Sequence, residues 1–337
     1  MSFDTIAAFE TALRDLPMPD EAAMASARVR QASLTKPSGS LGRLEEIAIF
    51  LAGWQGRERP RLEKARAVIF AGNHGVAAQG VSAFPANVTA QMVANFAAGG
   101  AAINALSAMA GLDLHIVPLD LDRPTGDFTQ VPAMSEEECL AALSAGAAMV
   151  EPGLDLFVPG EMGIGNTSAA AALCARALGG CAADWTGPGT GLGAAGIAHK
   201  TEVIDAALAR HAGAPATPFE ALRRLGGREI AAMAGAILQA RRLGVPVMLD
   251  GFVCCAAIAP LAAAVPFLTD HCLAGHCSAE PGHERLLARL GLMPLLRLGM
   301  RLGEGSGAAV AVQIVHAALA THDHMATFAQ AGIGSNA

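Results

Sequence analysis

Two carboxylates stand in glycine-rich segments where a side chain can reach a ligand. Glu161 belongs to residues 160–168 (GEMGIGNTS), and Glu304 belongs to residues 301–307 (RLGEGSG). Glycine neighbours leave a carboxylate open to a cleft, and limited solvation there can shift its pKa to a value useful for proton transfer. The alternative for each is a carboxylate at a helix entry that interacts with the helix dipole. The residues alone leave both interpretations open.

Residues 160–168 also have the composition of a phosphate-binding loop. They lie between an apolar run and an alanine-rich stretch, which predicts a strand followed by the start of a helix. Backbone N–H groups at a helix N-terminus favour an anion. Gly163 and Gly165 would let the backbone close on a phosphate, and Asn166 and Thr167 would offer polar groups. An ordinary glycine turn with a capping hydroxyl is the alternative.

A second glycine-rich segment, residues 186–200 (TGPGTGLGAAGIAHK), contains a formal G-x-G-x-x-G at Gly191, Gly193 and Gly196. A dinucleotide site would also need an acidic residue at the end of a following strand. The residues that follow have a helical pattern instead. We therefore expect a second loop for a ribose phosphate, with Lys200 as its cation. A solvated surface lysine is the alternative.

Histidine and cysteine are concentrated in residues 270–283 (DHCLAGHCSAEPGH), which hold three histidines and two cysteines. Their spacing matches no paired C-x-x-C zinc pattern, so an ordered loop with buried cysteines is favoured over a metal site. The chain has no Walker A motif, no nucleophile elbow and no H-E-x-x-H motif. The motifs therefore give no support to a kinase, a hydrolase or a metalloprotease.

These groups must be positioned by the elements around them. Several short apolar runs each lead into a glycine-rich or polar loop and then into an alanine-rich stretch. Continuous apolar strands alternating with helices indicate a parallel sheet buried on both faces, with ligands beyond the carboxyl ends of its strands. The runs are residues 65–71, 114–119, 154–159, 245–249 and 265–269. The sequence thus predicts an α/β fold with its glycine-rich loops at the ligand-binding edge.

Both ends of the chain have helical patterns without strands. We expect a large α/β domain over residues 60–298 and a small helical domain from residues 1–59 and 299–337. Residues 120–134, with two prolines and many polar residues, are predicted to form an exposed excursion.

Composition excludes several classes of protein. Of the 337 residues 53% are apolar and 16% charged, which predicts an extensive core rather than disorder. A net charge of -7 gives no basic surface for nucleic acid. The sequence shows neither a signal peptide nor an uninterrupted apolar run of membrane-spanning length. Seven cysteines in such a chain predict reduced thiols and a cytoplasmic protein.

Taken together, these segments resemble the nicotinate-nucleotide:dimethylbenzimidazole phosphoribosyltransferase family over nearly the whole chain. The matching blocks are residues 36–48, 71–104, 160–173, 225–236, 250–252, 279–283, 301–308 and 325–328. Several are long and idiosyncratic, and they occur in the family's order.

The resemblance implies a three-layer α/β/α fold with a mostly parallel, Rossmann-like sheet, a small helical domain built from both termini, and a homodimer. It implies that a ring nitrogen of 5,6-dimethylbenzimidazole replaces nicotinate at C1′ of nicotinate mononucleotide, giving α-ribazole phosphate. No metal and no redox cofactor is expected. The partners implied are these two small molecules, with neither nucleic acid nor a membrane.

Roles for individual residues follow from the same resemblance. Glu304 matches the catalytic base, and Glu161 matches a second acid near the ring. The positions matching the phosphate side are Gly163, Gly165, Asn166, Thr167 and Lys200. The positions matching the aromatic-base pocket are Ser82, Phe84, Gln91 and Leu302.

The chain departs from the family pattern at three places. Ser168 stands where a second threonine is common, and Phe84 stands where tyrosine is also usual. The loop at residues 187–196 lacks an acidic pair after its glycines, which puts its contacts and the role of Lys200 in question. Two rival functions stay open on the residues: a nicotinamide-dependent dehydrogenase, and a non-catalytic paralogue that binds a base or nucleotide.

Overall fold

The computed structural model describes residues 2–334 and contains one six-stranded sheet in which all strands are parallel. The strand order is β2-β1-β3-β4-β5-β6. The strands are β1 (Ala65–Ala71), β2 (Leu112–Pro118), β3 (Leu156–Met162), β4 (Val247–Leu249), β5 (Cys272–His276) and β6 (Pro294–Leu296). This confirms the predicted α/β fold with a parallel sheet.

Helices connect the strands and cover the sheet. They are α1 (Ile6–Ala12), α2 (Glu21–Ser33), α3 (Arg43–Gln55), α4 (Val88–Ala97), α5 (Ala102–Ala110), α6 (Glu136–Ala148), α7 (Asn166–Leu178), α8 (Ala194–Arg210), α9 (Pro218–Leu225), α10 (Arg228–Leu243), α11 (Phe252–Ala257), α12 (Ala259–Ala264), α13 (Pro281–Arg289), α14 (Ser306–His324) and α15 (Phe328–Ala331). Short 3-10 helices occur at Gly75–Gln79, Ala182–Asp184 and Leu268–His271.

The sheet separates two hydrophobic cores, which explains why its central strands are continuously apolar. Because successive side chains of a strand point to opposite faces, Val68 and Phe70 of β1 join one core and Ala67 and Ile69 join the other. Helices α6, α7, α10 and α11 contribute to the first core, and α3, α5 and α14 contribute to the second. The result is the three-layer arrangement expected from the resemblance.

The two termini meet along α14. Leu34, just after α2, forms an isolated antiparallel bridge with Thr327. The Arg30 guanidinium donates to the carbonyl oxygens of His322 and Asp323 at 2.7 and 2.8 Å, which satisfies the free end of α14. Helix α14 also packs on β5 and β6. The division into two domains at residues 60 and 298 stays a prediction.

Two local predictions are wrong. The predicted strand at residues 265–269 contains Pro266 and leads into the 3-10 helix Leu268–His271, because proline cannot donate to a central ladder. The strand is Cys272–His276, whose small residues are buried between β4 and β6. Residues 120–134 lack helix and strand but are not an exposed excursion, since Phe128 is 1% exposed and Ala133 and Met134 are also buried.

The stretch Val88–Ala110 is long and apolar enough to span a membrane by length and composition, with a mean hydropathy of 1.3. The structure divides it into α4 and α5, with Gly99 and Gly100 between them. Each helix reaches only about 15 Å, half of a hydrocarbon core of about 30 Å. The stretch is therefore weak evidence for a membrane span. It does leave apolar surface, since 22% of its most apolar window is buried.

Glycine allows α6 and α10 to pack backbone to backbone. A Cβ added at Gly146 would lie 1.7 Å from the carbonyl oxygen of Ala232, and one at Gly235 would lie 2.0 Å from that of Leu143. Such distances are impossible for real atoms, so any side chain at either position forces the helices apart.

We expect Gly235→Ala to lower the free energy of unfolding by about 1–3 kcal/mol, the usual cost of overpacking, although alanine favours a helix. Urea unfolding followed by circular dichroism measures this difference. Gly213→Ala is the matched control, because a Cβ there meets nothing within 4 Å. Equal stabilities of the two variants would contradict the proposed close approach.

Candidate active site

A cavity of about 460 Å³ opens at the carboxyl ends of β3, β4 and β5. It is bounded by the turn before α14 and by residues of the second glycine-rich loop. The lining residues are Phe84, Val88, Met92, Glu161, Met162, Gly163, Ile164, Asn166, Thr167, Gly189, Thr190, Gly251, Phe252, Val253, His276, Ser278, Glu280, Arg301, Leu302, Gly303 and Glu304. The volume suits a small-molecule ligand, and the walls are mainly apolar with a few polar groups.

The two candidate carboxylates meet in this cavity. A Cβ at Gly303 would lie 2.4 Å from Glu161 Oε1, and one at Gly160 would lie 2.7 Å from the backbone nitrogen of Gly305. The end of β3 and the turn that carries Glu304 are therefore in direct contact, and only glycine fits between them. Residues 143 apart in the chain, by difference of their numbers, form one group.

Glu304 occupies a backbone conformation that side chains rarely adopt. Its φ is 62°, between Gly303 at 82° and Gly305 at 72°. A non-glycine residue in the left-handed region is strained, and such strain persists only where the surroundings hold it. The Asp250 carboxylate accepts hydrogen bonds from the N–H groups of Gly305 at 3.2 Å and Ala308 at 2.9 Å. It thereby fixes the turn and caps α14.

Burial gives both carboxyl groups a high proton affinity. Burial, followed by the negative charge of Asp250, raises the pKa of Glu304 to about 7. Burial, followed by the charges of Asp250 and Glu229, raises the pKa of Glu161 to about 8 although Asn166 donates to it. Glu304 Oε2 is buried and has no hydrogen-bond partner among the described residues. Near neutral pH Glu304 can accept a proton, while Glu161 tends to keep one.

The first glycine loop forms the N-terminus of α7 as predicted. Gly165 is its N-cap residue at φ 97°, and the helix begins at Asn166. The Asn166 amide donates to Glu161 Oε2, which links this loop to the carboxylates. Gly163 lines the cavity, and a Cβ there would lie 2.8 Å from the Gly72 carbonyl oxygen. The positive end of α7 therefore points into the cavity.

Lys200 is a buried cation rather than a surface lysine. Its ammonium donates to Thr167 Oγ1 at 2.8 Å and to the Gly187 carbonyl at 3.2 Å. Burial lowers its pKa to about 8, and the nearby Glu280 opposes this shift. The structure thus places Lys200 directly behind Thr167, at the end of the cavity formed by α7.

The predicted base-side residues divide into two groups. Phe84 and Leu302 line the mouth of the cavity, where each is more than half exposed. Ser82 contacts the lining through a hydrogen bond with Thr190. Gln91 is exposed and outside the lining, because α4 turns Val88 and Met92, one turn apart, towards the cavity.

Comparison with known proteins identifies the family of this chain. A family model described as phosphoribosyltransferase matches residues 16–333. The nicotinate-nucleotide–dimethylbenzimidazole phosphoribosyltransferase of Novosphingobium aromaticivorans is 71% identical over 331 residues, covering 98% of both chains. That of Mesorhizobium japonicum is 58% identical over 333 residues, covering 99% of both. The chain belongs to this phosphoribosyltransferase family.

The fold of the family agrees as well. The crystal structure of CobT from Thermus thermophilus matches this phosphoribosyltransferase with a TM-score of 0.87 at 42% identity, covering 94% of this chain and 100% of that chain. A second structure from the same organism, of the phosphoribosyltransferase named in full, gives a TM-score of 0.85 at 40% identity. The family resemblance predicted from the sequence is therefore confirmed.

The sequence interpretation missed several polar groups of this phosphoribosyltransferase. Asp250 follows β4, His276 ends β5, and Ser278 and Glu280 follow it. His276 is 2% exposed, its Nε2 lies 3.4 Å from Asp250 Oδ1, and neither ring nitrogen has a hydrogen-bond partner among the described residues. The only available signal was their place directly after apolar runs, at the ligand-binding edge of a parallel sheet.

The three histidines of residues 270–283 do not share one site, although the rings of His276 and His283 meet edge to face with their centroids 6.1 Å apart. His271 is buried against the carbonyl oxygens of Leu268 and Ile237, and burial lowers its pKa to about 3. His283 contacts Ser278, while His276 faces the cavity. Within residues 2–334 no group of three or more histidine, cysteine or acidic residues is placed to hold a metal ion.

The free energy of unfolding should fall as pH rises from 5 to 8, and we expect Glu161→Gln to make this fall smaller. A carboxyl whose folded pKa exceeds its unfolded value keeps its proton on folding, so stability falls as pH rises from about 4.5 through the folded pKa of about 8. The effect should be on the order of 4 kcal/mol, because the interval covers about three pH units at about 1.4 kcal/mol each. Urea unfolding at several pH values measures it. Glu202→Gln, at an exposed carboxylate, is the control, and parallel curves for both variants would contradict the prediction.

Proposed function

We propose that this enzyme transfers phosphoribose from nicotinate mononucleotide to 5,6-dimethylbenzimidazole, releasing nicotinate and forming α-ribazole 5′-phosphate. The observation that carries the proposal is Glu304, a carboxyl with a raised pKa that a left-handed turn presents to an apolar cavity. The names of the relatives support the same reaction.

Glu304 suits the proton transfer that this reaction requires. One ring nitrogen of the benzimidazole attacks C1′, and the other carries a proton that must leave for the product to be neutral. The buried, unpartnered Oε2 of Glu304 is free to receive that proton. Its pKa of about 7 leaves a large fraction ionised at neutral pH, as a general base needs.

Glu161 acts beside it as an acid. With a pKa of about 8 it is mainly protonated at neutral pH, so its carboxyl can donate a hydrogen bond to a bound substrate. The Asn166 amide holds its second oxygen, which fixes the orientation of the group. The transition state at C1′ should have oxocarbenium character, which the negative charges of Glu304 and Asp250 stabilise.

The opposite end of the cavity takes the phosphate. The N-terminus of α7, with Gly163, Gly165, Asn166 and Thr167, offers backbone and side-chain donors to an anion. Lys200 stands behind Thr167 as the cation, and a phosphate nearby favours its protonated form. Fixing the ribose phosphate here while Glu304 holds the base aligns C1′ for attack.

The acceptor base packs between Phe84 and Leu302 at the mouth of the cavity, beside Val88 and Met92. Ser82 borders this wall. A contact from Gln91 stays a prediction, since its side chain is exposed and outside the cavity. The dehydrogenase alternative loses its structural basis, because the G-x-G-x-x-G segment follows the 3-10 helix Ala182–Asp184 rather than a strand.

We expect Glu304→Gln to keep nucleotide binding while kcat falls by roughly 10²–10⁴, the range for losing a general base. In the parent enzyme kcat/KM should rise with pH through about 7, where Glu304 ionises, and this rise should be lost in the variant. Chromatography that follows nicotinate and α-ribazole phosphate together measures turnover, and calorimetry measures nucleotide binding.

The exposed Glu202→Gln is the control for that experiment and should behave as the parent does. Near-parental turnover of folded Glu304→Gln would remove Glu304 from the mechanism. A parent enzyme that binds nicotinate mononucleotide but releases no nicotinate with any benzimidazole would favour a non-catalytic paralogue instead.

We also propose that the enzyme is a cytoplasmic homodimer, with a second copy covering the apolar surface of α4 and α5. Met109 on α5 is 58% exposed, and Phe84 and Leu302 at the mouth of the cavity are also more than half exposed. A second copy would cover apolar surface that a soluble monomer rarely leaves open.

Light scattering after gel filtration should give twice the mass of the chain, and Met109→Glu should shift the population towards monomer. Val29→Glu, at a residue 71% exposed on α2, is the control and should remain dimeric. A monomeric parent across micromolar concentrations would refute the dimer and leave the proposed reaction unaffected.

A further inference from the structure

The mechanism above gives no role to residues 187–190 of the second glycine-rich segment, although they run between the two ends of the cavity. At the phosphate end, the Gly187 carbonyl accepts a hydrogen bond from Lys200 at 3.2 Å. Gly189 packs against the same group, since a Cβ there would lie 2.7 Å from Thr167 Oγ1 and 3.1 Å from Lys200 Nζ. One end of residues 187–190 therefore rests on the phosphate-side cation.

The other end of residues 187–190 is tied to the wall for the acceptor base. Thr190 Oγ1 accepts a hydrogen bond from the Ala83 N–H at 2.9 Å and lies 3.0 Å from Ser82 Oγ, to which it is also hydrogen-bonded. Ser82 Oγ in turn accepts from the Phe84 N–H at 3.2 Å. A single threonine hydroxyl thus organises the segment that ends in Phe84.

A third contact joins residues 187–190 to the turn that carries Glu304. The Arg301 guanidinium donates to the Gly189 carbonyl at 3.2 Å, three residues before Glu304. Residues 187–190 span at most about 10 Å. The Pro188 carbonyl accepts from the N–H groups of Gly191 and Leu192 at 3.0 and 2.9 Å, which holds this short segment in a turn. A shift at Gly187 is therefore transmitted to Thr190 and to the turn.

We propose that residues 187–190 form a strap that couples occupancy of the phosphate site to the wall holding the acceptor base, with Thr190 as its positioning residue. When a phosphate fixes Lys200, the carbonyl of Gly187 and hence Thr190 are held in place, and the segment 82–84 is ordered before the base arrives. The affinity for the acceptor base increases because the wall at residues 82–84 is ordered before the acceptor base binds. This inference rests on the proposed transferase function.

Initial rates over a grid of nicotinate mononucleotide and 5,6-dimethylbenzimidazole concentrations test the strap. In the parent enzyme the apparent KM for the base should fall as the nucleotide concentration rises. Thr190→Val keeps the shape and loses the hydroxyl, so the KM for the base should rise about threefold to tenfold and no longer depend on the nucleotide. The kcat and the nucleotide KM extrapolated to zero base should change less than about twofold. At saturating base the nucleotide KM should rise by the same factor as the base KM, because coupling between two sites is reciprocal.

Two further variants make the result specific. Thr190→Ser keeps the hydroxyl and should restore most of the base affinity. Thr201→Val removes a hydroxyl that, among residues 2–334, bonds only to the Ile197 carbonyl on the same helix, and it should behave as the parent does. Thermal unfolding of each variant identifies any that fail to fold.

The outcomes separate this inference from the proposed function. A parent enzyme that forms no α-ribazole phosphate would overturn the function. An active parent enzyme whose KM for the acceptor base does not depend on the nucleotide concentration would overturn the coupling. An unchanged base KM in folded Thr190→Val, or an equal loss in Thr190→Ser, would remove the Thr190 hydroxyl from positioning the wall.

Discussion

The hydrogen bonds from the 304–308 backbone to Asp250 are the contacts on which the rest of the site depends. Asp250 is 1% exposed at the end of a short central strand, and it accepts N–H groups from Gly305 and Ala308. These bonds and the positive end of α14 stabilise a buried charge that would otherwise be costly. In return, the charge holds Glu304 in its strained turn and adds to the rise in the pKa of that carboxyl, which burial mainly causes. One residue both places the base and tunes it.

Holding that turn against the sheet requires an unusual composition. Gly160 and Gly303 let the end of β3 and the turn approach closely, and a Cβ at Gly307 would lie 2.2 Å from the His276 ring. The same use of small residues brings α6 and α10 together behind the sheet. Glycine is therefore required at these positions by close contacts with backbone and buried side chains.

Much of the site could be predicted because its signals are local. Glu161, Glu304 and the loop at residues 160–168 are recognisable by their glycine neighbours and by their place after an apolar run. Asp250 and His276 could not be found this way, since a polar residue after a short strand becomes part of a site only through strand order. The sequence also did not show which face of α4 turns towards the cavity, and that face decides whether Gln91 can reach the cavity.

The proximity of three carboxyls explains how one cavity can run acid and base chemistry together. Asp250, Glu161 and Glu304 share a buried region, and the charge of Asp250 raises the pKa of both glutamates. Because three negative charges cannot be held there together at moderate cost, a proton stays in the group, and the higher pKa of Glu161, which lies near Glu229 as well as Asp250, assigns the proton to Glu161. Glu304 is then ionised when a base binds. After it takes the proton from the ring nitrogen, the group becomes less negative just as the cationic character at C1′ disappears, so charge stays matched through the reaction.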